Sequence, residues 1–258
     1  MRDTLGQIAQ MARRSILQTV RQPAMVIPPI VFPLLLVSIN SSGLSAATHI
    51  PGFPAKSYWD FAIAVPFIQG GLFAAINAGT SLARDIETGF IQRLALTPMR
   101  RVALLSGQLI ASIVVAFVSA CVYISVGFAA GMDFKAGAAG VPAIIVLGVL
   151  IGLAFAGLGA YIGLRAGTGE AVQGFFPLLF VLLFLSSVNL PRNLIEQDWF
   201  RTIATYNPVS YLVEGVRSLI ITGWDGEALA LGFGLAALIA VASITLASTA
   251  LRTRLIRT

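Results

Sequence analysis

Six stretches of this chain contain no Asp, Glu, Lys or Arg, and each is long enough to cross a bilayer as a helix. They are Gln22–Ala55, with its apolar core at Ala24–Asn40, then Phe61–Ala83, Val102–Met132, Ala136–Leu164, Ala171–Pro191 and Ala228–Leu251. A helical crossing takes about 20 apolar residues. The runs are continuous, whereas a lipid-facing barrel strand alternates apolar and polar side chains over roughly 10 residues, so helices are expected. Composition excludes a soluble domain: 57% of the 258 residues are hydrophobic and 11% charged, more apolar side chain than a water-soluble core of this size buries. The expected fold is an all-α polytopic membrane protein, a single transmembrane domain over residues 1–258. Its six spans are expected at about 24–42, 60–83, 102–131, 138–164, 171–190 and 228–251. The residues before the first run are mostly polar and offer no small-residue cleavage site in a suitable place, so that span is expected to be retained.

Six crossings put both termini on one side, and arginine reports which side. Arg2, Arg13, Arg14, Arg21, Arg84, Arg93, Arg100, Arg101, Arg165, Arg252, Arg254 and Arg257 share the side of the termini. Lys56, Lys135, Arg192, Arg201 and Arg217 lie opposite. With the acids included, the sides carry +8 and −2. Positive charge is retained inside, so both termini and the loop at 84–101 are expected to be cytoplasmic, in an inner or plasma membrane. The net charge of +6 does not indicate nucleic-acid binding, because the basic residues are dispersed among loops rather than gathered in one patch. Cys121 is the single cysteine and His49 the single histidine, so neither an internal disulfide nor a metal site is expected.

Within residues 1–22, Leu5, Ile8, Ala9, Ala12, Ile16 and Val20 recur at helical spacing, which predicts an amphipathic helix in the inner interface with its arginines near anionic lipid. Pro23, Pro28, Pro29 and Pro33 then predict a bent entry into the bilayer. Gly148, Gly152, Gly159 and Gly163 would let a neighbouring helix approach the fourth span, from the same chain or from a second copy. The external segment at 192–227 contains a further helix, with Asn207 and Pro208 as N-cap and first residue and Gly223 near its far end. Its apolar face is Val209, Leu212, Val213, Val216, Leu219 and Ile220, and Glu214 and Arg217 can pair across one turn. It is too short to span, and either re-enters the bilayer or lies on the surface.

Charge is concentrated in RDIETGFIQRLALTPMRR, Arg84–Arg101. Gly89 interrupts the second helix, Thr97 and Pro98 can cap and start the third, and a short helix between them carries Phe90, Ile91, Leu94 and Leu96. A short helix held between two spans moves both when it is moved. The pattern D-I-E-T-G-x-x-x-R-L-x-x-T-P-x-R at Asp85–Arg100 resembles the cytoplasmic coupling segment of type-II ATP-binding-cassette exporter permeases, the daunorubicin-resistance branch in particular. Arg21-Gln22-Pro23 before the first span and N-P-V-S-Y-L-V-E-G-V-R at Asn207–Arg217 are similar to the same family. Gly215 departs from it, standing where relatives often carry alanine, at a cost of up to about 1 kcal/mol in helix stability.

The resemblance implies a coupling segment that docks on a separate ATP-binding-cassette ATPase subunit. Asp85, Glu87 and Gly89 would shape the second-span exit, Phe90 and Leu94 would contribute docking surface, and Thr97 and Pro98 would fix re-entry. Asn207, Pro208, Glu214 and Arg217 would form an external gate. It also implies two permease copies, alike or different, with ATP and Mg held by the partner subunit and no cofactor on this chain.

No ATPase site is expected here, since a phosphate-binding G-x-x-x-x-G-K-S/T loop is absent and the only lysines lie in PAKSYW and DFKAG. An ion-coupled secondary transporter would ordinarily keep an ionisable residue inside a span, and the six runs hold none, although an ion site built from backbone leaves that class open. An intramembrane enzyme lacks a general base, having neither H-E-x-x-H nor G-x-S-x-G. A channel or a purely structural membrane protein remains. Gln69, Asn77, Gln108 and Gln173 are candidates for lining a pathway, or for satisfying helix contacts. The apolar spans favour a hydrophobic or amphipathic cargo, drug or lipid-like, over a polysaccharide or glycolipid.

Overall fold

The computed structural model describes residues 2–96 and 101–256 and is all-helical over them. In chain order the α-helices are α1 (Arg2–Val20), α2 (Pro23–Gly43), α3 (Tyr58–Ala62), α4 (Val65–Glu87), α5 (Phe90–Ala95) and α6 (Arg101–Ala129). There follow α7 (Gly140–Ala166), α8 (Gly169–Gly174), α9 (Phe176–Phe184), α10 (Asp198–Tyr206), α11 (Pro208–Ile221) and α12 (Gly226–Ile256). Five stretches are long and apolar enough to cross a membrane: Pro23–Gly43, Tyr58–Glu87, Val102–Ala129, Gly140–Ala166 and Gly226–Arg254. The stretch expected as a span at 171–190 differs. Its apolar helix runs only over Gly169–Phe184 and breaks at Phe175, where Gly174 is followed by Pro177, a residue with no N–H to continue the ladder. At about 1.5 Å per residue this is short of a full hydrocarbon thickness of about 30 Å. Its two ends are nevertheless fixed to the two ends of α3–α4. The Gly169 N–H donates to Glu87 Oε1 at 3.1 Å, and the Tyr58 hydroxyl donates to the Asn189 carbonyl at 3.2 Å.

The expected bend at the start of the bilayer segment falls at Gln22, whose φ of −115° and ψ of 87° separate α1 from α2. Inside α2, Pro28, Pro29 and Pro33 leave the helix unbroken. Pro29 and Pro33 each remove the donor that would meet the carbonyl four residues earlier. Neighbouring helices supply substitutes: the Asn77 amide donates to the Met25 carbonyl at 2.8 Å, and the Tyr123 hydroxyl donates to the Pro29 carbonyl.

The glycines of α7 pack inside the chain. A methyl group at Gly159 would sit 1.8 Å from the Ala75 carbonyl oxygen and one at Gly163 2.2 Å from that of Gly79, so α4 and α7 touch backbone to backbone. Gly148 faces Phe67, and Gly152 faces Ala116. Gly215, an apparent cost to its helix, stands 3.1 Å by its missing methyl from the Gly232 Cα, and lets α11 and α12 meet closely. Two cores result. One, around Phe61, Phe67, Tyr123, Phe155 and the apolar face of α11, fills the Tyr58 end; the other, around Leu82, Ile91, Leu104, Leu164 and Leu251, fills the Glu87 end.

Both terminal helices reach the Glu87 end. α12 arrives there through Arg254, which donates to the Leu164 and Arg165 carbonyls at 2.9 Å each and caps α7. α1 forms as expected, and its expected apolar face divides: Leu5, Ala9 and Val20 are exposed, while Ala12 is buried and meets α6 at Gly107 together with Met11.

Candidate coupling site and external segment

The second long helix ends at Glu87 because Gly89 takes a left-handed φ of 69°, a conformation that L side chains rarely adopt. The chain restarts at once as α5. Beneath this turn Asp85 is buried, and it accepts two hydrogen bonds from the Arg14 guanidinium of α1, at 2.7 Å and 3.1 Å. The same guanidinium lies over the Phe90 ring, 4.0 Å from its centroid. One arginine therefore ties together α1, the end of α4 and the start of α5. The bidentate, charge-assisted contact is directional and fixes how α1 meets the end of α4, while the ring of Phe90 covers the guanidinium from α5. Glu87, on the exposed side, accepts from the first N–H of α8 and brings a fourth helix to the same knot.

The outward surface of α5 differs from the expected one. Phe90 and Leu94 are half-buried and pack against the inner core with the buried Ile91. Gln92, Arg93 and Leu96 face out, and Leu96 is 88% exposed. Arg93 donates to the Thr88 carbonyl at 3.2 Å and braces the turn. Thr97 and Pro98 lie outside the described residues.

At the opposite end, Asn207 caps α11 by accepting from the Val209 N–H at 2.9 Å, with Pro208 as the first helical residue. Its amide also donates to the Leu182 and Leu185 carbonyls at 2.7 and 3.0 Å, which joins α11 to the end of α9. All six residues of the expected apolar face of α11 are buried. The expected pairing of Glu214 with Arg217 is replaced by more distant partners. Glu214 takes both hydrogen bonds of a bidentate contact from Arg192, one at 2.9 Å, and a third from the Ser187 hydroxyl at 2.8 Å. Arg217 is buried and spends its donors on backbone: Phe61 O at 3.0 Å, Ser187 O at 3.1 Å and Val188 O at 3.1 Å, while stacked 3.5 Å from the centroid of Phe61. Those carbonyls lie in the last turn of α3 and in the turn that follows α9, where helical partners run out. Glu214, Arg217 and Arg192 border an outward recess of about 380 Å³.

The four candidate amides part company. Asn77 serves the Met25 carbonyl, and Gln108 accepts from the Ser81 hydroxyl at 3.2 Å, so both satisfy helix contacts. Gln173 is exposed on α8. Only Gln69 borders a sizeable cavity among the candidates. Sequence reasoning missed Arg14, Tyr123 and Arg192 as partners. The orphaned carbonyls below Pro29 and Pro33 were the one available signal, and they announce that donors are needed without saying which helix brings them.

The described residues thus form a helical bundle with five stretches long and apolar enough to cross a membrane and a short helix held at the end of the second. Residues 6–221 match the ABC-2 type transporter family, and the chain belongs to it. It is 25% identical over 220 residues to the daunorubicin resistance ABC transporter permease protein DrrB1 of Streptomyces coeruleorubidus, covering 83% of this chain and 75% of that protein. It is also 25% identical over 233 residues to a protein of Porphyra purpurea provisionally named transport permease ycf38, covering 86% and 77%, and 28% identical over 219 residues to its namesake in Pyropia yezoensis, covering 83% and 74%.

Proposed function

We propose that this chain is the permease subunit of an ATP-driven exporter. It pairs with a second permease copy, identical or not, and is driven by separate ATPase subunits that hold ATP and Mg, while this chain moves a hydrophobic or amphipathic cargo out of the cytoplasm. The observation that carries the reading is the Arg14–Asp85–Phe90 knot, because it gives an external force applied at α5 a rigid route into α1 and α4 together. The exposed Gln92 on α5 and Leu96 at its C-cap offer the partner a polar and an apolar foothold. Membership of the family and the drug-resistance name of one relative support the exporter class and a drug-like cargo.

The same reading takes the segment from Gly169 to Asn189 as a sixth crossing, since it is fixed at both ends of α3–α4, partly in helix and partly extended. The termini then share the Glu87 end, which is cytoplasmic by its arginines. Trp59, Trp199 and Trp224, all near the Tyr58 end and all partly or well exposed, suit the outer interface, where amphipathic rings gather. α10 and α11 form the external segment, and Arg217 with Asn207 holds it against α3 and α9 as a gate. In this scheme ATP binding draws the two ATPases together, α5 is displaced, and the permease pair alternates between inward and outward exposure.

The test is reconstitution with the cognate ATPase subunit. Glu87→Arg and Leu96→Asp are expected to lower cargo-stimulated ATP hydrolysis and transport while the permease elutes as folded protein. Transport by the permease alone, driven by an ion gradient, would overturn the reading in favour of a secondary transporter.

A further inference from the structure

Between α2, the α3–α4 rod and α9, towards the Tyr58 end, lies a cavity of about 330 Å³. Val37, Val65, Leu183 and Phe184 give it apolar walls, and Asn40, Tyr58 and Asn189 line it as well. Gln69, on α4, also lines it, only 3% exposed, and its Oε1 receives no hydrogen bond from any described residue. The same holds for the Ser41 hydroxyl, which is buried on the face of α2 that also carries Val37. These are the two buried side-chain polar atoms without a partner among the described residues, and of the two Gln69 Oε1 belongs to a residue of the cavity wall. Buried polar atoms are nearly always satisfied, more so where hydrocarbon rather than water surrounds the protein. The neighbouring amides follow that rule: Asn77 and Gln108 both have partners. Gln69 stands apart from them by its place in the cavity wall.

We propose that this cavity binds one neutral, compact amphipathic molecule, whose N–H or O–H donates to Gln69 Oε1 while its aromatic or aliphatic body lies against Val65, Leu183 and Phe184. Charge is excluded because no Asp, Glu, Lys or Arg lines the cavity, and an ion there would lack both water and a counter-charge. Size argues the same way. The volume falls at the lower end of the range for small-molecule pockets, about 300–1,000 Å³, which suits a few fused or linked rings and not a two-chain lipid. Asn40 and Asn189 are available to any polar substituent. Identifying the occupant as cargo rests on the exporter reading above; the binding itself does not.

The probe is N-phenyl-1-naphthylamine, a neutral two-aromatic amine with a single N–H, set against its N-methylated analogue, which lacks the donor. Purified permease in phosphatidylcholine nanodiscs is titrated with each, and energy transfer from tryptophan is read as the saturable part above the linear lipid background. Wild type is expected to bind the N–H probe at least fivefold more tightly than the methylated one. Gln69→Leu and Gln69→Met should erase that preference, leaving affinity for the methylated probe within twofold, and Val65→Trp should abolish binding of both. Equal affinities in wild type, an unchanged preference in both Gln69 variants, or no saturable component would each overturn the proposal. The exporter reading fails separately: probe binding retained with no coupling to the ATPase sinks that reading and not this one, whereas coupling retained with no probe binding does the reverse.

Discussion

Each end of the protein uses an arginine to tie distant segments together, and the two arginines are placed oppositely. Arg14 is 33% exposed along its side chain and shares its charge with one carboxylate; Arg217 is fully enclosed and spends its donors on three backbone carbonyls. If the inner contact opens, the half-buried Arg14 can turn to water, and Asp85 is the one buried group left without its partner. If the outer one opens, a buried guanidinium and three buried carbonyls lose their partners at once. The cores match this division, with interlocked aromatic rings around Phe61 and Tyr123 at the outer end and leucine and alanine at the inner. The contrast teaches that the end facing the proposed motor is built as a joint and the end facing away as a clamp.

The strongest way to break this contrast is Arg217→Met. Methionine fills part of the volume but donates nothing to Phe61 O, Ser187 O and Val188 O, and a buried acceptor left unsatisfied typically costs about 1–3 kcal/mol. The expected result is loss of most folded protein, measured by fluorescence-detected gel filtration and thermal melting in detergent. Arg217→Lys should recover only part, because one ammonium cannot reach three carbonyls laid out for a planar fork. A wild-type melting curve for Arg217→Met would end the description of the outer end as a clamp.

Between the ends, α4 and α7 form the rod that a joint must push against. Gly159→Ala drives a methyl into the Ala75 carbonyl, and backbone on both sides cannot yield as a side chain would. Overpacking of this kind costs about 1–3 kcal/mol. The melting temperature should fall, with Gly152→Ala, which meets only the side chain of Ala116, falling less. Equal effects would mean that the backbone contact is not what holds the rod together.

The inner joint should respond more mildly. Arg14→Ala and Asp85→Ala each remove a charge-assisted pair, worth about 1.5–3 kcal/mol, and Asp85→Ala should be the milder, because the half-buried Arg14 can recover hydration whereas Arg14→Ala leaves the buried Asp85 unpaired. A double-mutant cycle on thermal stability is expected to give a coupling of about 1–2 kcal/mol that shrinks in high salt, since the pair is only partly screened from solvent. No coupling would break the knot on which the proposed function rests.

How much of this was legible beforehand depends on range. The apolar face of α11, its Asn207 cap and the Gly89 interruption were all readable because helical period, cap chemistry and left-handed glycine act within a few residues. The partners were not. Arg14 and Asp85 are 71 residues apart and Arg217 and Phe61 are 156 apart, and a period says which face turns inward without saying whom it meets. Glu214 and Arg217 looked like a pair because they share a helix face; each found a partner outside the helix because the ends of α3 and α9 leave carbonyls that need a donor. The apolar run at 171–190 read as one continuous helix because hydropathy does not register Gly174 and Pro177, where α8 gives way to α9.

The smallest effect on stability is expected where the functional effect should be large. Leu96 is 88% exposed at the C-cap of α5, so Leu96→Ser removes almost no buried contact and should leave the stability of the isolated permease within the range of ordinary surface changes, about ±0.5 kcal/mol. A leucine that exposed at the tip of a joint is stabilising only if a partner covers it. Co-purification with the ATPase subunit should therefore weaken severalfold, while Ile203→Ser, at a less exposed aliphatic residue on α10 at the other end, should leave co-purification unchanged. If Leu96→Ser and Ile203→Ser behave alike, the two ends do not differ in the way the arginines suggest, and the motor must grip the protein somewhere other than α5.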